Sequence, residues 1–306
     1  MAGLNVYYDK AYTGAAFAFE TTRKAGWVAD SLVSDPIDGL RLVAPQPLQW
    51  EQVAQVHARD YVLAIRTGDP RALAQSQSLQ WDPGLGPMVL HTNGGAVAAG
   101  LDAMKTGLSG SLSSGLHHAR RGAGRGYCTF NGLVIAARAA LDAGARAVLI
   151  LDLDAHCGGG TADLIADEPR IWQQDVSVDN FDTYTSSERI RLHMVRKSAA
   201  YLEQVRSCLQ WADDCAVPFD LCLYNAGMDP YEGSADGGLD GITRPMLHER
   251  ENLVFNWARG RALSLAFVLA GGYIGKRLDV AGLVDLHRLT LAAAARSAQL
   301  MKVAQR

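Results

Sequence analysis

Ala147-Val148-Leu149-Ile150-Leu151-Asp152-Leu153-Asp154-Ala155-His156 starts as an apolar run and ends in alternating acidic and imidazole side chains. A short apolar run of this kind reads as a strand buried on both faces. Further along, Leu221-Cys222-Leu223-Tyr224 leads in the same way into Asn225-Ala226-Gly227-Met228-Asp229. Each strand therefore delivers a carboxylate to its C-terminal end, the edge of an open α/β sheet where ligands and catalysis sit. The period of two along a strand puts Asp152, Asp154 and His156 on one face. Asp154, His156 and Asp229 together offer one nitrogen and two oxygen ligands. Such a set suits a catalytic zinc that keeps positions open for water and substrate. The plainer reading of a single strand-end Asp is a cap on the following helix, and the second string argues against it.

Outward from these strings the chain alternates strand-like and helical patterns. Strands are expected at 4–8, 41–44, 109–116, 145–154, 172–178, 219–226 and 263–272. Helical spacing appears at 52–66, 89–106, 133–143, 189–210 and 245–259, with a closing helix at 283–303. The alternation argues a parallel sheet with helices on both faces. The 306 residues suit one large α/β domain, 1–306. Hydrophobic residues make up 48% and charged residues 20%, which leaves material for a sizeable core. A net charge of −3 gives no basic stripe for nucleic acid. No apolar run reaches the roughly eighteen residues of a membrane span. The first residues lack a basic segment followed by an apolar one, so no secretory signal is expected. Cys128, Cys157, Cys208, Cys215 and Cys222 are scattered, which fits a reducing cytoplasm. The sequence does not indicate an oligomeric state.

Other strings add chemistry. His117-His118 follows the small-residue run Ser111–Leu116 in numbers 111–116. Adjacent histidines at a strand end suit general base and acid work on a water activated by a metal; an exposed loop pair is the plainer alternative. Tyr273 follows Gly271-Gly272 and would donate to a substrate carbonyl, or else stand as a rim tyrosine. Gly126-Tyr127-Cys128 follows the Arg/Gly-rich loop 120–125, which by itself reads as a mobile surface turn.

Taken in order, Gly-x-His-His, Gly-Tyr-Cys-x-x-Asn, Asp-x-Asp-x-His-x-Gly, Asn-Ala-Gly-x-Asp and Gly-Gly-Tyr resemble the zinc-dependent histone deacetylase family. The likeness runs from about Val6 to Val303 and is closest to the class IV branch and to bacterial histone deacetylase-like amidohydrolases. It implies a three-layer α/β/α arginase/deacetylase-like fold with a central, mainly parallel sheet of about eight strands. It implies one zinc, or Fe²⁺ in vivo, held by Asp154, His156 and Asp229. His117 and His118 become the acid–base dyad, and Tyr273 polarises the scissile carbonyl. Gly126 offers its backbone carbonyl to the substrate amide, and Tyr127 forms a wall of the acyl-lysine tunnel. A structural potassium is implied near Asp152, Ser177 and Val178. The activity implied is hydrolysis of an acyl-lysine amide, acetyl or longer, on a peptide or protein, or of an acylated small amine such as an acetylpolyamine.

The chain departs from the family pattern in places. Cys157 stands where a second histidine or a glutamine is usual, at a position that is no metal ligand. Gly159 replaces the Asp or Asn that orients the second dyad histidine, so His118 is expected to lack a partner while His117 keeps Asp152. Where the loop accepts a side chain, restoring Asp or Asn at 159 is then expected to keep or raise turnover. The usual Pro-Gly-rich loop is replaced by 180–189, leaving Phe181 or Tyr184, or neither, as the second tunnel wall. The apolar loop 12–20 is a candidate for the entrance. A two-manganese ureohydrolase of the same fold would need carboxylates where Gly158 and Gly227 stand. A protein that binds an acyl ligand or a partner without turnover would draw only on Gly159.

Overall fold

The computed structural model describes residues 3–304. The expected domain bounds 1–306 run past them, and Met1, Ala2, Gln305 and Arg306 lie outside the described residues. In chain order the elements are β1 (Leu4–Tyr7), α1 (Glu20–Ser34), β2 (Leu40–Val43), α2 (Trp50–Val53), α3 (Arg59–Thr67), α4 (Arg71–Ala74), α5 (Leu85–Thr106) and β3 (Leu108–Ser111). They continue with α6 (Gly132–Asp142), β4 (Val148–Asp152), α7 (Gly159–Leu164), β5 (Ile171–Ser177), β6 (Ile190–Met194) and α8 (Tyr201–Asp214). The last are β7 (Leu221–Ala226), α9 (Arg244–Gly260), β8 (Ser264–Leu269) and α10 (Val280–Ala304). Among the described residues eight strands form one sheet in the order β2-β1-β3-β8-β7-β4-β5-β6. Every pairing is parallel.

The period of two divides the core. Along β4, Leu149 and Leu151 pack with α1, α8, α9 and α10, while Val148 and Ile150 pack with α3, α5 and α6. β7 does the same, with Cys222 and Tyr224 on one side and Leu221 and Leu223 on the other. Helices thus cover both faces, and the central strands can be apolar throughout. The order sets β8, β7, β4 and β5 side by side, with β3 next to β8. The segments leaving their C-terminal ends meet over one stretch of the sheet edge. Behind them Arg250 on α9 is fully buried. Its guanidinium pairs with Glu251 at 2.6 Å and donates to the Leu153 carbonyl at 3.3 Å and the Tyr201 hydroxyl at 3.0 Å. This ties α9 to the backbone between Asp152 and Asp154. A charge so deeply buried needs such partners.

Several expected elements are corrected. The helix expected at 189–210 is an edge strand, β6, followed by a short 3₁₀ turn and α8. Ile-Arg-Leu-His-Met alternates, and β5 offers a free edge to pair with, so β6 forms there. The segment 52–66 divides into α2 and α3, because the chain turns at 54–58. Strand β3 ends at Ser111, and 112–116 run on as irregular chain to the histidine pair. Helix α1 was not anticipated.

Candidate active site

The three candidate ligands sit at adjacent strand ends and are buried. Their ligand atoms lie within 4.8 Å of one another. His156 Nδ1 is 3.1 Å from Asp154 Oδ1 and 3.1 Å from Asp229 Oδ2. Backbone donors fix the carboxylates. Asp154 Oδ1 accepts from the His156 N–H at 3.0 Å and Oδ2 from the Gly271 N–H at 2.7 Å; Asp229 Oδ1 accepts from the Ala155 N–H at 3.0 Å. A Cβ at Gly271 would lie 2.0 Å from Asp229 Oδ2 and 2.6 Å from Asp154 Oδ2, so only glycine leaves the carboxylates their room. Burial, and then the Asp154 charge, push the Asp229 carboxyl up to about 7. Two carboxylates crowded together away from water carry a cost that a cation offsets. Bonds of about 2.0–2.1 Å set tetrahedral donors roughly 3.3 Å apart, close to the spacing seen here. The donor set fits a divalent transition metal.

The histidine pair lies against this cluster. His117 Nδ1 donates to Asp152 Oδ2 at 2.7 Å, and its Nε2 is 3.1 Å from His118 Nε2 and 3.5 Å from Asp154 Oδ1. Asp152 is held in turn by the Asn225 amide at 2.8 Å and the Asp154 N–H at 3.2 Å. Burial opposes charge on His117, but the Asp152 and Asp154 carboxylates outweigh it and raise its pKa to about 10. Burial, and then the His117 charge, lower His118 to about 4. The two rings are thereby pushed apart in basicity, a pattern that separates acid and base roles.

One expectation is overturned. His118 does have a carboxylate partner: its Nδ1 lies 3.1 Å from Asp182 Oδ2, on the loop between β5 and β6. A Cβ at Gly159 would stand 2.2 Å from the Asp182 carbonyl oxygen and 2.9 Å from its Cγ. The room for a side chain at 159 is already taken, so restoring one there will not help. Gly159→Asp is expected to cost about 1–3 kcal/mol as overpacking and to lower turnover. Thermal unfolding and steady-state rates check this, and a variant as stable and as fast as the wild type would contradict it.

A cavity of ≈ 600 Å³ opens over His118, His156 and Tyr273 and is lined also by Arg125, Gly126, Tyr127, Asp179, Phe181 and Asp236. Its size suits a small-molecule or side-chain site, roughly 300–1,000 Å³. A larger cavity of ≈ 760 Å³ lies at the opposite edge of the sheet, around Arg146, Asp220 and Arg261; its charged groups pair with one another. Tyr127 stacks on Phe19 with centroids 3.9 Å apart, so one residue of the apolar loop 12–20 does reach this wall. Phe181 meets the His118 ring edge-on at 4.9 Å. Tyr184 points elsewhere, its hydroxyl donating to Asp175 Oδ2 and to the Arg191 carbonyl, both at 3.2 Å.

Behind the ligands, the Ser177 hydroxyl donates to the His156 carbonyl at 3.2 Å, and the Val178 N–H to the Ala155 carbonyl at 2.9 Å. Asp152 and Asp175 are register partners on β4 and β5. The sequence reading passed over Asp175, whose carboxylate accepts from Ser177 at 2.5 Å and from the Gly158 N–H at 2.7 Å. Burial, and then the Asp152 charge, push it up to about 8. An acid inside an otherwise buried strand was the available signal. The sequence reading gave Asp236 no role, and it passed over Asp182 and the fully buried Lys24, which burial lowers to about 8 against the pull of Asp154 and Asp229. Nothing local marks Asp182 or Lys24.

The sequence profile described as "Histone deacetylase domain" matches residues 19–282. A protein of Picosynechococcus is 32% identical over 223 residues, covering 71% of this chain and 74% of that one. Human polyamine deacetylase HDAC10 is 32% identical over 143 residues, which are 43% of this chain and 21% of that one. The crystal structure of an acetylpolyamine aminohydrolase from Burkholderia pseudomallei superposes with a TM-score of 0.75 at 16% identity, covering 95% of this chain and 98% of that one.

Proposed function

The chain belongs to the histone deacetylase family of amidohydrolases, and on that premise we propose that residues 1–306 act as one catalytic domain, a zinc-dependent deacylase that hydrolyses the amide of an acyl-lysine. The observation that carries the reading is the buried convergence of Asp154, His156 and Asp229 beside a cavity lined by His118 and Tyr273. These three residues would hold the zinc, or Fe²⁺ in vivo. Bound there, the metal supplies Lewis acidity, polarising a carbonyl and lowering the pKa of a water. The protein's own groups do the rest. The dyad takes a proton from water as its oxygen joins the amide carbon, and returns one to the amine nitrogen as the C–N bond breaks. Asp152 steadies His117 for this, and Tyr273 donates to the carbonyl oxygen as negative charge grows there. Gly126 would accept from the substrate amide, with Tyr127 and Phe181 as walls. Asp152, Ser177 and Val178, with the carbonyls of Asp154 and His156, would hold a potassium ion. The free cysteines are consistent with work in the cytoplasm, and among the described residues no helix is long and apolar enough to cross a membrane.

A second reading has its own observation. Asp236 and Asp179 line the cavity, and Asp236 is largely exposed there, 3.5 Å from His156 Nε2. The cavity's one guanidinium, Arg125, is engaged by Asp182 at 3.2 Å. Two carboxylates at the wall, against one guanidinium that is already paired, favour a cationic substrate, such as an acetylated polyamine.

Purified protein should contain about one zinc per chain. A chelator is expected to remove both metal and turnover, and added Zn²⁺ to restore them. A series of fluorogenic lysine peptides carrying acetyl to long acyl chains, run beside N-acetylated polyamines, identifies the substrate. Full turnover after exhaustive chelation would sink the metal reading, and hydrolysis of the polyamines alone would replace acyl-lysine by the second reading.

A further inference from the structure

We propose that Asp182 is the positioning residue of His118, doing from the β5–β6 loop what residue 159 does in the family pattern. The inference rests on the dyad role given above for His118.

Three observations carry it. The Asp182 side chain is only 1% exposed, and its two oxygens divide their work. Oδ2 faces His118 Nδ1 at 3.1 Å and accepts from the Gly160 N–H at 3.2 Å. Oδ1 accepts from Arg120 Nη2 at 2.5 Å and pairs with Arg125 Nε at 3.2 Å. The carboxylate is thus pinned from three directions, and the imidazole is the fourth. Second, glycine at 159 and Asp at 182 require each other. The Cβ of any other residue at 159 would collide with the Asp182 backbone, and its position is 3.0 Å from Asp182 Oδ1. Without Gly159 the loop cannot come this close; without Asp182 the glycine would leave His118 unheld. Third, the loop adopts an unusual backbone to do this. Asp182 has φ 60°, a left-handed conformation that Asp tolerates better than most side chains.

The physical consequence concerns the tautomer of His118. A carboxylate at Nδ1 accepts a hydrogen bond there, so the proton sits on Nδ1. Nε2 is left with its lone pair, facing His117 Nε2 at 3.1 Å and the cavity. That is the nitrogen that must take and give the proton. Asp182 also joins two cavity walls: its neighbour Phe181 lies beneath the Arg125 guanidinium at 5.0 Å, and Arg125 precedes Gly126 and Tyr127. Arg120 completes the link by donating to the Gly159 carbonyl at 2.9 Å.

The test uses full-length, zinc-loaded protein and two readouts. In ¹⁵N-resolved imidazole spectra, with the His118 signals identified by their loss in His118→Ala, the wild type should carry its proton on Nδ1. In Asp182→Ala that preference should disappear. Turnover of an acetyl-lysine peptide should fall roughly ten- to a hundredfold, as when an outer partner of a metal site is lost. KM should change less than about twofold and zinc content should hold, since neither substrate nor metal ligands are touched. Asp182→Asn keeps the shape but has a single acceptor oxygen, which Arg120 and Arg125 draw toward themselves; its NH2 then faces His118 Nδ1, so the proton should move to Nε2 and turnover should fall at least as far as in the alanine variant. It also serves if the alanine variant does not fold. A wild-type His118 protonated on Nε2 would overturn the proposal with no variant needed, as would an Asp182→Ala protein with unchanged spectrum and rate. If the tautomer shifts as described but the wild type hydrolyses no acylated amine, the positioning holds and the deacylase reading fails.

Discussion

Asp229→Ala is expected to lose the metal and, with it, at least about a thousandfold in turnover. A Lewis-acid metal contributes several kcal/mol to such a reaction, and each ~1.4 kcal/mol is a factor of ten. Removing one of three protein donors leaves Asp154 and His156, too few to hold zinc against water. The fold should survive, because the carboxylate is more burden than support without a cation. It is buried beside Asp154, and that neighbour together with burial raises its pKa to about 7. Its structural duties are the contact with His156 Nδ1 at 3.1 Å and the hydrogen bond accepted from the Ala155 N–H at 3.0 Å. Asp229→Asn keeps an oxygen for that bond while deleting the charge. In chelator at pH 8, Asp229→Asn should therefore unfold at a temperature no lower than the wild type. On adding Zn²⁺ the wild type should gain stability with metal concentration and the variant should not, since only a state that binds the ligand is stabilised by it. Metal analysis, melting curves and rates on the same preparations check this. Stoichiometric zinc with wild-type turnover in Asp229→Ala would remove Asp229 from the ligand set.

Much of the sheet was legible because its strands are buried on both faces. Residues 147–151 and the run before Asn225 are apolar without interruption; the first ends in an acid, and the second in an amide with an acid four residues on, groups that have no place in an apolar core. That contrast marks both a strand and the end of it that matters. The edge strand β6 has no such contrast. Ile190 is buried while the four residues after it are half-buried, so Ile-Arg-Leu-His-Met reads as readily as part of a helix. Only the presence of β5 beside it decides.

The same division runs through the site. Strand β4 ends at Asp152, short of the expected 154, so the period of two does not itself place Asp154 and His156; they follow within four residues and stay at one strand end because the connecting chain is short. Asp182 comes from a loop 64 residues from His118 in sequence, and nothing local announces its partner. Taken alone, glycine at 159 is the loss of an orienting side chain. What a single position cannot reveal is that the missing side chain and the incoming loop compete for one volume. Asp175 lies between these cases. A carboxylate at a buried strand position is visible in Trp-Gln-Gln-Asp-Val-Ser, but that it faces Asp152 depends on the register of β4 against β5.

Tyr273→Phe is expected to lower turnover on the order of a hundredfold or more, about 3 kcal/mol, the usual cost of removing one donor to a developing oxyanion. The tyrosine follows Gly271-Gly272 at the end of β8, is 7% exposed, and sets its ring 6.1 Å from that of His156 and 5.8 Å from that of Phe19. Burial, and then the charges of Asp154 and Asp229, hold its hydroxyl well above the usual tyrosine range. The group therefore keeps its proton across neutral pH and stays a donor. Donation to an ordinary carbonyl in the bound substrate is weak. It strengthens as the oxygen gains charge, so the loss should appear in kcat and kcat/KM together, with KM nearly constant. Phenylalanine retains the ring contacts with Phe19 and His156, and the Tyr273 N–H still meets the Ser234 hydroxyl at 3.2 Å. Melting temperature and zinc content should match the wild type, which separates this variant from Asp229→Ala, where metal and rate disappear together. A Tyr273→Phe enzyme with full zinc and unchanged kcat would make the tyrosine a wall of the cavity and nothing more, and would leave polarisation of the carbonyl to the metal alone.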